Sequence, residues 1–343
     1  MKKIISMILT VLMIATLFTG CSGTASNQVP SQASNDNGGA ADEVLELKLG
    51  HIQSENDLWN DGAKKFKEEV EAKSNGKIKI TIYPNSTLGG DRDMAEGMQI
   101  GTVDFALIAG VLGNFEQSIQ LLELPYLFSS EEQFAKVVHG EVGKEISDRV
   151  LKSSDIRILN FWDRGARQVT SNKPINSLAD IKGLKIRLPE IKAMVETWKA
   201  MGASPTTMAW NEVYTGLEQR VIDAQENPIP FIYGGKIHEV QKYLAMTNHK
   251  YEYVTLSMSE KTYAKLTPEQ QKIINDAAQV ATDYENQLVK EKTGEILEAM
   301  KSEGLQVTTP DTAEFAAAAK QAHEAFAKTV DLDLYKKIVE AIQ

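Results

Sequence analysis

The sequence predicts an α/β protein of two lobes with a ligand cleft between them, and three observations predict it. From residue 44 onward, segments of strand-like alternation are separated by segments of helical periodicity. The 343 residues suffice for roughly two hydrophobic cores. A helical pattern over residues 268–301 has no internal proline and no glycine before Gly294. It would be on the order of 50 Å long, more than one small domain spans.

The first element lies before the folded body. Lys2 and Lys3 precede an apolar run over residues 4–18 and then Thr19-Gly20-Cys21, the pattern of an export signal over residues 1–20. The run is too short to stay in a bilayer as a spanning helix. Cys21, the only cysteine of the chain, sits where a lipoprotein signal would be cut and lipidated, although Phe18 stands where leucine is usual. Cleavage there would remove two lysines and take the net charge from −10 to −12. Residues 22–43 are rich in serine, asparagine, glutamine, glycine and alanine, too polar to bury a core, and read as a flexible tether. The expectation is an extracytoplasmic protein, in a periplasm or on the outer face of the cell membrane, lipid-anchored at Cys21.

Residues 44–52 alternate apolar and polar as a half-buried strand does. Residues 57–74 form a helix with Leu58, Phe66 and Val70 on one side, closed by Asn75-Gly76. A second strand covers residues 77–83 and ends at Pro84-Asn85. A helix over 91–100 stops at Gly101, and residues 103–108 read as a buried strand. Strands separated by helices imply parallel pairing with crossover helices. Further strands are expected at 157–161, 185–188, 224–226, 243–248 and 254–258, and the long helix would brace both lobes.

Composition narrows function. Hydrophobic residues make up 42% and charged residues 24%, ordinary for a folded protein. The acidic balance argues against nucleic acid. One cysteine rules out a disulfide framework and a cysteine metal cage, and His51, His139, His238, His249 and His323 offer no HExxH spacing. The chain has no GxGxxG, GxxxxGK[ST] or GxSxG, and no carboxylate spacing selects a glycosidase dyad. No catalytic residue, metal site or cofactor is therefore expected; binding is.

Three segments carry that binding: residues 160–172 (NFWDRGARQVTSN), 181–189 (IKGLKIRLP) and 202–214 (GASPTTMAWNEVY), the last leading into 221–228 (VIDAQENP). Arg187 lies in an apolar alternation just before Pro189, at the carboxyl end of a strand, where α/β sheets bind ligands. Its fork can grip a carboxylate through two charge-assisted hydrogen bonds. Asn227, before Pro228, could donate to the same group or be a turn residue.

Together these segments resemble the DctP family, the solute-binding subunits of TRAP transporters. The resemblance runs from about Leu47 to the C-terminus and includes residues 76–92, Leu124-Pro125-Tyr126 and residues 245–249 (AMTNH). It implies a two-lobed, periplasmic-binding-protein-like fold. Lobe I would hold residues 45–162 plus about 254–290, and lobe II residues 163–252 plus about 291–343. The resemblance puts the carboxylate-clamping arginine of the Lys-[Ile/Leu]-Arg-x-Pro strand on Arg187 and a second arginine on Arg167. It puts the asparagine of Gln-Glu-Asn-Pro on Asn227, with Glu226 beside it, and the lidding aromatic on Trp210. Asp91 matches a position that often meets the distal polar end of the ligand. Closure over the ligand would create the form that a membrane permease recognises.

Trp59, Trp162, Asp163 and Trp210 would place aromatic faces and carboxylates around the cleft, which suits a sugar ring or polyol. A C4-dicarboxylate would want a second cation, from Arg92 or His51. The reading favours a sugar acid, a uronate or aldonate; dicarboxylates, sialic acid and keto acids stay open, as does a receptor feeding a sensor. A tethered receptor that opens and closes is most simply a monomer.

Overall fold

The computed structural model describes residues 44–343. The expected export signal, Cys21 and the tether lie outside the described residues.

The chain opens with β1 (Leu45–Gly50), α1 (Leu58–Lys73), β2 (Ile78–Tyr83), α2 (Asp91–Ile100) and β3 (Phe105–Ile108). Asp57 caps α1 by accepting from the Trp59 amide at 2.9 Å, and Phe66 and Val70 turn into the core as the apolar spacing predicts. β1 pairs in parallel with both β2 and β3. Next come α3 (Glu131–Val138), α4 (Glu141–Ser154) and β4 (Ile156–Ser171). They are followed by β5 (Lys185–Leu188), α5 (Lys192–Ala200), β6 (Ser204–Thr207), α6 (Trp210–Glu218), β7 (Ala224–Pro228) and α7 (Ile229–Gly234). The last third holds β8 (Tyr243–Ser259), α8 (Glu260–Tyr263), α9 (Pro268–Ser302), β9 (Gln306–Thr308), α10 (Ala313–Val330) and α11 (Leu332–Ala341).

Among the described residues one nine-stranded sheet runs β2-β1-β3-β8-β4-β7-β5-β6, with β9 on β8. The expected parallel pairing holds at β1–β2, β1–β3, β5–β6, β5–β7 and β8–β9, but β8 is antiparallel to β3 and β4, and β4 to β7. The sheet is therefore mixed. The two strands expected at 243–248 and 254–258 are one 17-residue strand, β8, and β4 runs ten residues past its expected end. These long strands serve both halves of the sheet. Residues 255–258 of β8 pair with β3, while 243–245 pair with β9. In β4, residues 156–163 lie along the later part of β8, and 167–171 pair with β7. Register shifts in β4 fall at Ile158/Asn160, Asp163/Gly165 and Arg167/Val169, the last two where one stretch gives way to the other.

α9 is continuous through Gly294, where a side chain would meet only open space. Its start is fixed by Pro268 and a capping box between Thr267 and Gln270. Ile274, Ala277 and Ala281 join the larger core and Met300 the smaller one beneath α6 and α7, so the helix is anchored at both ends. The fold is the two-lobed α/β architecture that the sequence predicts.

Candidate functional site

Arg187 is the third residue of β5, in register with Thr206 of β6 and Gln225 of β7. Its side chain is only 4% exposed. Nε and Nη2 both donate to the Met208 carbonyl, at 2.9 and 2.6 Å, and the guanidinium lies 5.8 Å from the centre of the Trp210 ring. Among the described residues it forms no ion pair. Burial lowers its pKa to about 10, so it remains a cation at neutral pH.

Arg167 stands in the opposite condition. Its Nε, Nη1 and Nη2 donate to Glu226 and Glu252, including 2.6 Å from Nη2 to Glu226 Oε1 and 2.7 Å to the Glu226 carbonyl. Burial alone would depress its pKa, but the two carboxylates hold it above the usual arginine range. His249 Nε2 meets Glu226 Oε2 at 2.9 Å, and Lys250 donates to Glu252 Oε1 at 2.8 Å. Against its burial, Lys250, Arg167 and Arg164 draw the Glu252 pKa down to about 2. The crossing of β4, β7 and β8 is thus a buried ion network in which Arg167 is committed to the protein.

A small chamber, about 30 Å³, lies between these arginines and three aromatic rings. Arg167, Arg187, Asn227, Asp91, Trp210 and Phe231 line it, with Trp59 and Ile52. Asn227 Nδ2 donates to Gln225 Oε1 at 2.8 Å, which aims the amide. Trp210, the first residue of α6, leans on Phe231 with ring centres 4.4 Å apart. Asp91 begins α2; its Oδ1 is buried without a partner and burial raises its pKa to about 7. A second cavity of about 380 Å³ shares Asp91, Arg187 and Trp210 with the chamber. The arrangement offers an unpaired guanidinium and an amide at one end, aromatic faces along the sides and a hydrogen-bonding carboxyl group. Nothing in it resembles a metal cage, and no cluster of histidine, cysteine or carboxylate side chains among the described residues could hold an ion.

Residues 49–329 match the DctP family, described as bacterial extracellular solute-binding protein, family 7. The chain belongs to this family. A solute-binding protein of Roseobacter denitrificans is 38% identical over 89% of this chain and 94% of its own. Its crystal structure, a TRAP periplasmic solute-binding protein with bound L-galactonate, superposes with a TM-score of 0.83 over 88% of this chain and 99% of that one. The sialic acid-binding periplasmic protein of Vibrio cholerae is 34% identical over 85% of this chain and 91% of its own. A TRAP solute-binding protein from a Sulfitobacter species with bound β-D-galacturonate has 29% identity and a TM-score of 0.82, over 87% and 99% of the two chains.

In this DctP-family chain the structure brings Arg187, Arg167, Asn227, Trp210 and Asp91 to one chamber. Glu226 is fully buried behind it and spends its carboxylate on Arg167 and His249. Four candidates lie elsewhere. Arg92 is exposed on the rim of the larger cavity, paired with Glu96 at 3.1 Å and Glu190 at 3.3 Å. His51 is buried against Asn60, and burial lowers its pKa to about 4, so it is neutral and lines none of these cavities. Trp162 is buried over Gly62, whose added Cβ would lie 2.7 Å from the indole, and Asp163 lies near His139 in a different groove.

Sequence reasoning missed Arg164, Glu252 and Phe231. Arg164 lies over the rings of Trp59 at 4.6 Å and Phe231 at 4.3 Å, bracing two walls of the chamber from behind. The signal for it was Gly165, whose φ of +75° marks an irregularity in the strand.

Proposed function

We propose that this protein is the extracytoplasmic receptor of a TRAP transporter and that it captures a sugar acid, an aldonate or uronate, by its carboxylate. The observation that carries the reading is the state of Arg187: a buried cation with no carboxylate partner. An uncompensated buried charge is costly, and a ligand anion that accepts from its free N–H groups removes that cost. Asn227 is the second donor, and Arg167 contributes its position and field from within the ion network. Trp210, Phe231 and Trp59 give the apolar faces of a sugar or polyol backbone their contact surface.

The distal end separates the ligand classes. A dicarboxylate needs a second cation there, but Arg92 is on the rim in two ion pairs and His51 is neutral and outside the cavity. Asp91 instead presents an unpartnered carboxyl group, suited to a hydroxyl and repulsive to a second carboxylate. The sugar acids bound by the Roseobacter and Sulfitobacter relatives agree with this preference.

Lobe I takes in residues 45–162 with about 254–290 and lobe II residues 163–252 with about 291–343, so that β4 and β8 form the hinge where their register shifts. Closure is driven by ligand contacts available only when both lobes meet. The protein works without catalysis, as a monomer tethered through a lipid on Cys21, and hands its ligand to the membrane permease. Intact-mass analysis of membrane-extracted protein tests the anchor: a diacylglyceryl addition at residue 21 that Cys21→Ala abolishes.

Calorimetric titration with aldonates, uronates, succinate, malate and sialic acid tests the ligand. Binding confined to aldonates and uronates is expected. Binding of dicarboxylates alone would overturn the assignment of the distal end, and absence of any acid binding would overturn the clamp.

A further inference from the structure

We propose that a groove outside Trp210 is a second sugar subsite, so that the protein accepts a sugar acid carrying a neutral hexose, an aldobionate. The proposal rests on the carboxylate reading above and extends it outward. The groove encloses about 870 Å³ and shares Ile52, Ser86, Trp210 and Asn211 with the 380 Å³ cavity. A ligand held by its carboxylate on Arg187 and longer than one sugar unit therefore runs past Trp210 into this groove.

The groove has the chemistry of a carbohydrate site. Tyr233, 37% exposed, stacks on His238 with ring centres 5.0 Å apart and planes 19° apart, giving a flat apolar platform. A pyranose places its C–H face on such a ring, and its hydroxyls need donors and acceptors at the edge. His238 supplies one. Its side chain is 5% exposed, Nε2 lies 2.8 Å from Glu303 Oε2, and Nδ1 is buried with no partner. In the tautomer that donates Nε2–H to the carboxylate, Nδ1 is a lone-pair acceptor for a ligand hydroxyl. Asn56, Asn85 and Asn211 line the same space and both donate and accept.

The charged groups of the groove already have partners. Glu303 meets His238, and Glu239 accepts from the Tyr214 hydroxyl at 3.3 Å and lies 3.8 Å from Lys236. A second carboxylate finds no free cation there, whereas a neutral hexose needs none. This selects a hexosyl aldonate over a digalacturonate.

The test is isothermal titration of the full-length protein with gluconate and galactonate, then with lactobionate, cellobionate and maltobionate, repeated on Tyr233→Ala and His238→Phe. We expect at least one aldobionate to bind tenfold or more tighter than its parent aldonate. Both variants should erase that gain and leave aldonate affinity within twofold of the wild type. Tyr233→Leu keeps the experiment decisive if the alanine variant does not fold. Aldonates that bind while every aldobionate binds more weakly would refute the subsite and leave the receptor reading standing. Equal affinities insensitive to both substitutions would refute it as well. Silence with all five acids would refute the carboxylate reading, and the subsite with it.

Discussion

Replacing Arg187 with methionine separates a ligand clamp from a structural arginine. In the ligand-free protein Arg187 is 4% exposed, and among the described residues the Met208 carbonyl is the one acceptor that its guanidinium meets. Its pKa, lowered by burial to about 10, corresponds to about 3 kcal/mol against the charged form at neutral pH. Methionine has similar length and no charge, and it relieves that cost. It also leaves the Met208 carbonyl without its donor, a loss of about 1–3 kcal/mol. The ligand-free variant should therefore be as stable as the wild type or up to about 2 kcal/mol more stable by urea denaturation. Ligand binding should fall by about 2–5 kcal/mol, roughly thirty- to several-thousand-fold, because a bound carboxylate would be buried unpaired. Titration calorimetry with the tightest-binding sugar acid reads the second quantity. A variant destabilised by more than about 2 kcal/mol, or one that still binds the acid within threefold, would refute the assignment.

Three further outcomes follow from the same geometry. Glu226→Gln breaks the bidentate hold on Arg167 inside the core and should cost about 3–5 kcal/mol of stability in the same denaturation assay; a loss below about 1 kcal/mol would mean that Glu252 alone satisfies Arg167. Gly235→Ala would set a Cβ against Trp210 Cζ2, too close for both to stay, so the ring must shift; the overpacking, about 1–3 kcal/mol, should appear as weakened sugar-acid affinity of about tenfold or more, and unchanged affinity would remove Trp210 from the site. Burial raises the pKa of Asp57 and of Asp91 to about 7 and that of Glu285 well above the carboxylate range. These three carboxyls hold protons that the unfolded chain releases near pH 4, and their contribution to stability declines as pH rises from about 4 through 7, by up to about 4 kcal/mol for Asp57. His51, His249 and His323, whose pKa values burial lowers, act in the opposite sense below about pH 6.5. Glu285→Gln should therefore gain stability relative to the wild type as pH rises from about 5.5 to about 8; a difference between the two proteins that does not grow with pH would contradict it.

Much of the fold was legible because local rules and tertiary structure agree. Asp91–Ile100 and Lys185–Leu188 match their expected limits, since a helix start, a left-handed Gly101 and a strand-ending Pro189 are all local signals. Pairing direction was not legible. Segments 243–248 and 254–258 look like two strands because residues 249–253 (HKYEY) are polar in composition, yet all but the half-buried Tyr251 are buried, His249, Lys250 and Glu252 in the ion network, and they continue β8. A charge pattern on one strand says nothing about the partner charges that will meet it. Arg167 illustrates this: the resemblance implied a second ligand-binding arginine there, and nothing in the sequence signals that its donors also meet Glu226 and Glu252, 59 and 85 residues away. Asn227 and Arg187 were legible because strand-end position alone decides where they point.

The register shift at Asp163/Gly165 explains how an acidic protein concentrates positive charge at one spot. In a regular strand residues 164 and 167, an odd number apart, point to opposite faces of the sheet. The extra residue before Gly165, which takes the φ of +75° that a side chain would resist, turns Arg164 back to the side of Arg167. Both guanidinium groups then reach the same carboxylate oxygen, Glu252 Oε2, with Arg164 Nη1 3.8 Å away. Glu226, Glu252 and the rings of Trp59 and Phe231 compensate these two cations, and Arg187 on β5 is left as the one that is not compensated. Surface carboxylates responsible for the net charge of −10 are screened beyond about 8 Å at physiological salt and do not oppose it. Capture of an anion thus depends on how unevenly the buried carboxylates are distributed among three arginines.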